Sequence, residues 1–507
     1  MVFTATPLRD MGCRLSLWVA WLFIFGAVAT ASPLPKPNVI VILTDDQGYG
    51  ELGVTGNPVI RTPSLDRFAG QSVSLTDFSV MPVCSPTRAG LMTGRYHYRT
   101  GVTDTWMGRS MMDPEETTIA EMLRSAGYRT GIFGKWHLGD NYPCRAMDQG
   151  FEESLVFNGG GLGQPSDLPE AADPLGAYFN PLLLRNGKRV KTAGYVSDVI
   201  TDAAIEFIGK ERKEPFFVYL AFNAPHTPLQ VPAKYIRNYP PEVFAPDKFP
   251  SAGNPMPDRH NAADLARAYG MIENIDENVG RLLARLEELG LTENTIVAFL
   301  SDNGCQQHHG YNAGLRDWKG SPYEGGIRQF CFLRWPAELK AGKRVTQPSA
   351  HIDLAPTLLD LCRVAKPEAV KFDGLSLAPL MRGQTPDWPD RKLFFQWHRG
   401  DVPGRYRNSA VRSQDWKLVQ RQGGSELRLV HQIAMHDRVQ IKRVGLGLER
   451  GVEHPVERRE RAYRVHAELQ SRREKRHAVF WKRRAARRSL GEVADARRRA
   501  FGVGFAD

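Results

Sequence analysis

The chain has 507 residues, 42% of them hydrophobic, with 47 Gly, 34 Pro and 6 Cys. That length and composition support a large buried core and exclude a wholly disordered, collagenous, multi-span membrane or disulfide-stapled protein. Residues 428–507 hold 18 Arg and 3 Lys against 10 acids, which accounts for the whole formal charge of +11. The first 427 residues balance 46 basic with 46 acidic side chains, so the body of the chain carries no sign of nucleic-acid binding.

In chain order, the first feature has the parts of a secretory signal peptide. Arg9 and Arg14 precede an apolar run from Leu15 to Val28, and Ala29-Thr30-Ala31 gives a small-x-small site before Ser32-Pro33. The run falls short of the roughly 20 residues that a membrane span needs. Export is therefore expected, to a secreted or periplasmic location and without an integral-membrane anchor, the mature chain starting near Ser32.

Beyond it, apolar runs of strand length alternate with helical patterns. Asn38–Leu43, Thr130–Phe133, Phe216–Phe222 and Thr295–Leu300 read as buried parallel strands. Ile119–Ala126, Val196–Ile208 and Ala263–Leu289 read as helices between them. This order predicts an α/β fold with a mostly parallel central sheet flanked by helices, in which ligands bind beyond the carboxyl ends of the strands.

Each run is followed by chemistry-bearing residues: Asp45-Asp46, then Lys135-Trp136-His137, then Asn223-Ala224-Pro225-His226, then Asp302-Asn303-Gly304. Three carboxylates and an amide oxygen are hard ligands, suited to Ca²⁺ or Mg²⁺ rather than zinc. Lys and His side chains beside them point to an anionic substrate. Read alone, Cys84 is a small buried hydrophobe and Pro86 a first-turn helix residue. The arrangement Cys84-x-Pro86-x-Arg88, followed by Thr93-Gly94-Arg95, nevertheless resembles the type I sulfatase family, and Gly127–His137 is similar to that family's second motif. Asp45-Asp46, the 223–226 segment, Asp302-Asn303-Gly304 and Lys319-Gly320 fall in the family's order, the resemblance running from about residue 37 to 420.

The resemblance implies an alkaline-phosphatase-like fold and hydrolysis of a sulfate monoester, aryl or carbohydrate, to an alcohol and inorganic sulfate. It implies that Cys84 is converted to Cα-formylglycine (3-oxoalanine) by a formylglycine-generating or equivalent maturation enzyme. One hydroxyl of the hydrated aldehyde would attack sulfur and the other would expel sulfate. Asp45, Asp46, Asp302 and Asn303, with the group at position 84, would hold a divalent cation, Ca²⁺ as first choice and Mg²⁺ as second. Arg88 would stabilise the hydrate, and Lys135 and Lys319 would clamp sulfate oxygens. His137 would orient or deprotonate the hydrate, and His226 would contact sulfate and assist the leaving oxygen. The division of proton duties between His226 and Lys319 stays open. Asn158, beside the Gly159–Gly163 loop, is the candidate for a further substrate contact. Phosphate or phosphonate ester hydrolysis, and a non-catalytic anion-binding relative, are the alternative readings.

His308-His309 lack a second pair at zinc-ligand spacing and are expected to face substrate or solvent. His351-Ile352-Asp353 reads as entry to a helix over Leu354–Leu361, and the cysteines at 144, 305, 331 and 362 leave room for one disulfide. Leu393–Trp397, Ala410–Arg412 and Trp416–Val419 are expected to open a small antiparallel sheet. After Leu427 the expected Tyr-Asp-Leu continuation gives way to an Arg-rich run, which supports a frameshifted or replaced tail; a polyanion-binding extension is the functional alternative. The domain plan is thus a signal peptide at 1–31, a catalytic domain at 37–385, a partial C-terminal subdomain at 386–427 and an atypical tail at 428–507.

Overall fold

A computed structural model describes residues 35–164, 177–250, 260–307, 310–400 and 407–421, the backbone of 427–431 and 442–443, and Met1, Gly253, Met256 and Gly404. The expected signal peptide, His308-His309 and most of the Arg-rich tail lie outside the described residues. The architecture follows from five strands that are buried along almost their whole length. In sheet order these are Thr295–Ser301, Asn38–Thr44, Phe216–Ala221, Arg129–Lys135 and Glu153–Phe157, all parallel to their neighbours. Leu182–Arg185 and Lys188–Lys191 extend one edge, while Cys331–Arg334, Val73–Leu75 and Arg344–Val345 extend the other, completing ten strands. The antiparallel pairings of the sheet are confined to these flanks.

Side chains on a strand alternate between faces, and here both faces are buried. Val39, Val41 and Leu43 join one core with Phe217, Tyr219, Ile296 and Ala298. Ile40 and Ile42 join the other with Val218, Leu220, Val297 and Phe299. The second face is covered by helices Pro63–Gly70, Val196–Gly209 and Ala262–Glu288. The long helix starts where the Asn261 side chain accepts from the backbone N–H groups of Ala263 and Asp264, a cap that satisfies otherwise orphaned donors. Its Met271, Ile275, Val279, Leu282 and Leu286 recur at three- and four-residue spacing and form the stripe that meets the sheet. On the first face lie Ile119–Ser125, opened by a Thr118–Glu121 capping box, and Leu354–Leu361.

The small sheet orders Leu393–Gln396, Ser409–Arg412, Trp416–Gln420, Leu427–His431 and Lys442–Arg443 in sequence, each antiparallel to the next. It therefore continues past residue 427, where the composition turns Arg-rich. Buried ions fasten it to the main body: Lys417 Nζ donates to Glu324 Oε1 at 2.5 Å, and Arg412 pairs with Asp77 and donates to Ser79 Oγ at 3.1 Å. The five described cysteines are all buried and unbonded, so none of them forms a disulfide.

The His351–Asp353 turn leads directly into Leu354–Leu361, as helix entry. His351 packs so closely on the helix bearing Cys84 that a Cβ on Gly90 would lie 2.5 Å from its Nε2. Burial, aided by His97, lowers its pKa from 6.5 to about 3. Between those values the unfolded chain binds a proton that the folded one refuses, so stability is present above pH 6.5 and is lost as pH falls toward 3. Urea unfolding at a series of pH values in that window should show His351→Gln reducing the acid-side loss by about 1.4 kcal/mol per pH unit relative to the parent.

Candidate active site

The five parallel strands end side by side, and their last residues converge. Thr44 pairs in register with Ser301, which sets Asp45 beside Asp302, and Lys135 is the last residue of its own strand. Gly134 makes that placement feasible: its φ is +111°, and a Cβ there would sit 1.9 Å from the Ala221 carbonyl oxygen. Only glycine tolerates both conditions. Asp46 and His137, each two residues beyond its strand end, hold left-handed backbones with φ of 65° and 59°. Such conformations cost about 1–2 kcal/mol in a non-glycine residue and gather at functional sites.

Cys84 opens the helix Cys84–Thr93, all ten residues of which are buried. Its thiol therefore stands at a helix N-terminus, where the backbone N–H groups and the helix dipole favour negative charge. Burial raises the thiol pKa, with Lys135 and Lys319 opposing. The ligand atoms of Cys84, Asp45 and Asp302 lie within 4.8 Å of one another, as do those of Asp45, Asp46 and His226.

Three cations hold these buried carboxylates. Arg88 donates to Asp302 Oδ2 from Nε at 3.1 Å and from NH2 at 2.8 Å, and to the Lys135 carbonyl from NH1 at 3.2 Å. Lys135 Nζ pairs with Asp45 Oδ2 at 2.5 Å, and Lys319 Nζ with Asp46 Oδ1 at the same distance. Asn303 and Gln306 add donors to Asp46 at 2.7 and 2.6 Å. Burial pushes the Asp46 pKa up, but Lys319 and His226 hold it well below the ordinary carboxylate range. Asp302 goes the other way: burial and the Asp45 charge raise it to about 7, against Arg88 and Lys135.

Two acceptors in this cluster, Asp45 Oδ1 and Asn303 Oδ1, are buried and meet no hydrogen-bond partner among the described residues. Unsatisfied oxygens of this kind are costly unless something binds them. With the other carboxylate oxygens they make an all-oxygen donor set that fits a hard divalent cation.

Both histidines have tautomers set by their neighbours, because a backbone carbonyl can only accept. His226 donates from Nδ1 to the Thr227 carbonyl at 2.7 Å, which leaves Nε2 bare, 3.7 Å from Asp46 Oδ2. His137 donates from Nε2 to the Thr105 carbonyl at 2.7 Å, which leaves a buried Nδ1 without a partner among the described residues. Burial lowers His226 to about 3 despite Asp46, and lowers His137 well below its ordinary value, with Lys135 adding to the effect. Both rings are neutral bases at neutral pH.

The sequence-derived residues other than Asn158 thus meet in one place. Asn158 follows its strand by one residue, and its buried Oδ1 meets no hydrogen-bond partner among the described residues. The glycine loop after it borders the site, since a Cβ on Gly160 would lie 3.0 Å from His137 Nε2. Other members were not foreseen. Gln306 follows Asp302-Asn303 closely enough to have been a candidate on spacing. Tyr178, whose hydroxyl donates to the His226 carbonyl at 2.6 Å and accepts from Asn223, carries no sequence signal. Nor do Asp104 and Thr105, or Asn408, which donates to the Gly320 carbonyl at 2.7 Å and so steadies the segment bearing Lys319.

Comparison with known proteins agrees with this arrangement. The family model described as Sulfatase matches residues 37–364, and the one described as N-sulphoglucosamine sulphohydrolase, C-terminal, matches residues 315–430. The N-acetylgalactosamine-6-sulfatase of Canis lupus familiaris is 31% identical over 404 residues, covering 74% of this chain and 71% of its own. Arylsulfatase A of Bos taurus is 31% identical over 450 residues, covering 79% and 78%. The structure of Ps i-CgsB in complex with k-i-k-neocarrahexaose superposes with a TM-score of 0.66 at 30% identity, covering 78% of this chain and 86% of that one. The matched sequence, the alkaline-phosphatase-like fold and the buried acid–lysine cluster lead to one conclusion: the chain belongs to the sulfatase family and is an enzyme that hydrolyses sulfate esters.

Proposed function

We propose that this sulfatase cleaves a sulfate monoester on a carbohydrate, with formylglycine formed from Cys84 as nucleophile and a divalent cation, Ca²⁺ first, as electrophile. One observation carries the reading: Cys84 stands at a helix N-terminus with two carboxylates within 4.8 Å of its sulfur. A thiol there is buried and protonated, a poor nucleophile where it stands. A hydrated aldehyde at position 84 supplies a hydroxyl for attack on sulfur. Asp45, Asp46, Asp302 and Asn303 would hold the cation, which supplies Lewis-acid polarisation when bound.

The chain's own residues do the rest. Arg88 is locked to Asp302 and keeps that carboxylate aimed at the cluster. Lys135, wholly buried, and Lys319, whose side chain is 19% exposed, place two positive charges where sulfate oxygens would lie, Lys319 on the solvent side. The bare Nδ1 of His137 is a buried acceptor suited to orient or deprotonate a hydroxyl at position 84. The bare Nε2 of His226 is suited to accept the proton that the attacking hydroxyl gives up and to pass it to the leaving oxygen. A carbohydrate substrate is supported by the sugar sulfate named in the N-acetylgalactosamine-6-sulfatase relatives and by the oligosaccharide in the Ps i-CgsB complex. Maturation requires a formylglycine-generating or equivalent enzyme, and the Arg9–Ala31 pattern supports action outside the cytoplasm.

Turnover of 4-nitrophenyl sulfate should exceed that of 4-nitrophenyl phosphate, and Lys319→Ala should lower kcat on the sulfate by about 10²–10³-fold, as loss of a charge-stabilising group does. Faster phosphate turnover would refute the sulfate assignment. Chelation with EGTA should abolish that activity, Ca²⁺ should restore it better than Mg²⁺, and Asp302→Ala should lose calorimetric Ca²⁺ binding. Full activity in EGTA would remove the cation from the account.

A further inference from the structure

The loop Thr103–Met107 reaches from the nucleophile to the surface. Ser85, next to Cys84, donates from its hydroxyl to the Asp104 carbonyl at 3.2 Å, and the Thr105 carbonyl accepts from His137. Asp104 is wholly buried, and its Oδ1 accepts from the Thr105 N–H at 2.8 Å and from Trp397 Nε1 at 3.0 Å. Trp397 in turn covers the segment bearing Lys319, since a Cβ on Gly320 would lie 3.0 Å from its ring. One residue beyond Thr105, the side chain of Trp106 is 45% exposed. The exposed Arg399 lies across both indoles, its Cζ 5.2 Å from the Trp106 ring centre and 5.6 Å from that of Trp397.

These side chains come from two separate parts of the chain, Trp106 from one and Trp397 with Arg399 from the other, yet they meet on segments tied to the catalytic residues. A single exposed tryptophan is ordinary. Here an exposed indole stands beside a guanidinium, on a loop bonded to Ser85 and His137. The flat apolar face of an indole suits the C–H face of a pyranose ring, which keeps its hydroxyls in water at the ring edge. Arg399 rests on the rings by cation–π attraction and suits bidentate pairing with a sulfate or carboxylate. We infer that Trp106, Arg399 and Trp397 form a subsite for the next sugar of an anionic oligosaccharide, so that the enzyme acts on a sulfated chain rather than a sulfated monosaccharide. This rests on the carbohydrate reading above and adds to it the length and charge of the substrate.

The test is calorimetric binding to the Cys84→Ala full-length protein, which needs no turnover. The probes are the disaccharide, tetrasaccharide and hexasaccharide of two series, carrageenan and chondroitin sulfate. In at least one series the tetrasaccharide should bind about tenfold tighter than the disaccharide. Trp106→Ala should erase that gain, Trp106→Phe should keep most of it, and Arg399→Gln should weaken the salt dependence of tetrasaccharide binding. A gain with length that survives Trp106→Ala overturns the subsite, as does binding that shows no gain with length. Failure of both series to bind also overturns it. In each of these cases hydrolysis of 4-nitrophenyl sulfate by the unmutated enzyme shows that the functional reading still stands, and its absence shows that both fail.

Discussion

Three carboxylates buried at the ends of adjacent strands are the constraint around which this molecule is organised. Asp45, Asp46 and Asp302 have almost no solvent exposure, and an uncompensated ion in such a place is penalised by several kcal/mol. Arg88, Lys135 and Lys319 supply the opposite charge, each from a different element. The strands deliver the acids because parallel strands end together on one edge of the sheet, and the helix beginning at Cys84 delivers Arg88 one turn after the nucleophile. The left-handed backbones of Asp46 and His137 are tolerated because the surrounding ion pairs and hydrogen bonds hold both residues in place.

That balance leaves the site incomplete in an instructive way. The buried oxygens of Asp45 and Asn303 and the bare nitrogen of His137 have no partner among the described residues, while the positive charges of Lys135 and Lys319 act on Cys84. A cluster that combines bare acceptors with buried cations is complementary to a bound cation together with an anionic ester. This is preorganisation of the kind that stabilises charge as it moves in a transition state. The small sheet belongs to the same scheme. Lys417 and Arg412 fasten it through Glu324 and Asp77, and Asn408 and Trp397 then steady the segment bearing Lys319. Loss of this sheet would therefore be felt at the catalytic centre as well as in stability.

Much of this was legible in the residues. The four apolar runs were strands, the three periodic segments were helices, and the acids, lysine and histidines stood where parallel strands end. Cys84, Arg88 and Lys319 were legible only through their motifs, since nothing in their local pattern distinguishes them from core and loop residues. The flanking strands were missed because they are short or, like Lys188–Lys191, too exposed to show alternation. Tyr178, Asp104, Thr105 and Asn408 were missed because their place in the site depends on tertiary packing of loops distant in sequence. The small sheet's continuation through Leu427–His431 also crossed the point where composition changes, a reminder that backbone pairing depends less on side-chain character than on register with Trp416–Gln420.

The most direct measurement is the mass of the tryptic peptide Phe68–Arg88, taken from protein made in its own host and shown to hydrolyse a sulfate ester. The account requires Cys84 to have lost H₂S and gained one oxygen, leaving an aldehyde that a hydrazide reagent captures. An unmodified thiol at position 84 in fully active enzyme would contradict it, and the buried acids and lysines would then serve a different nucleophile.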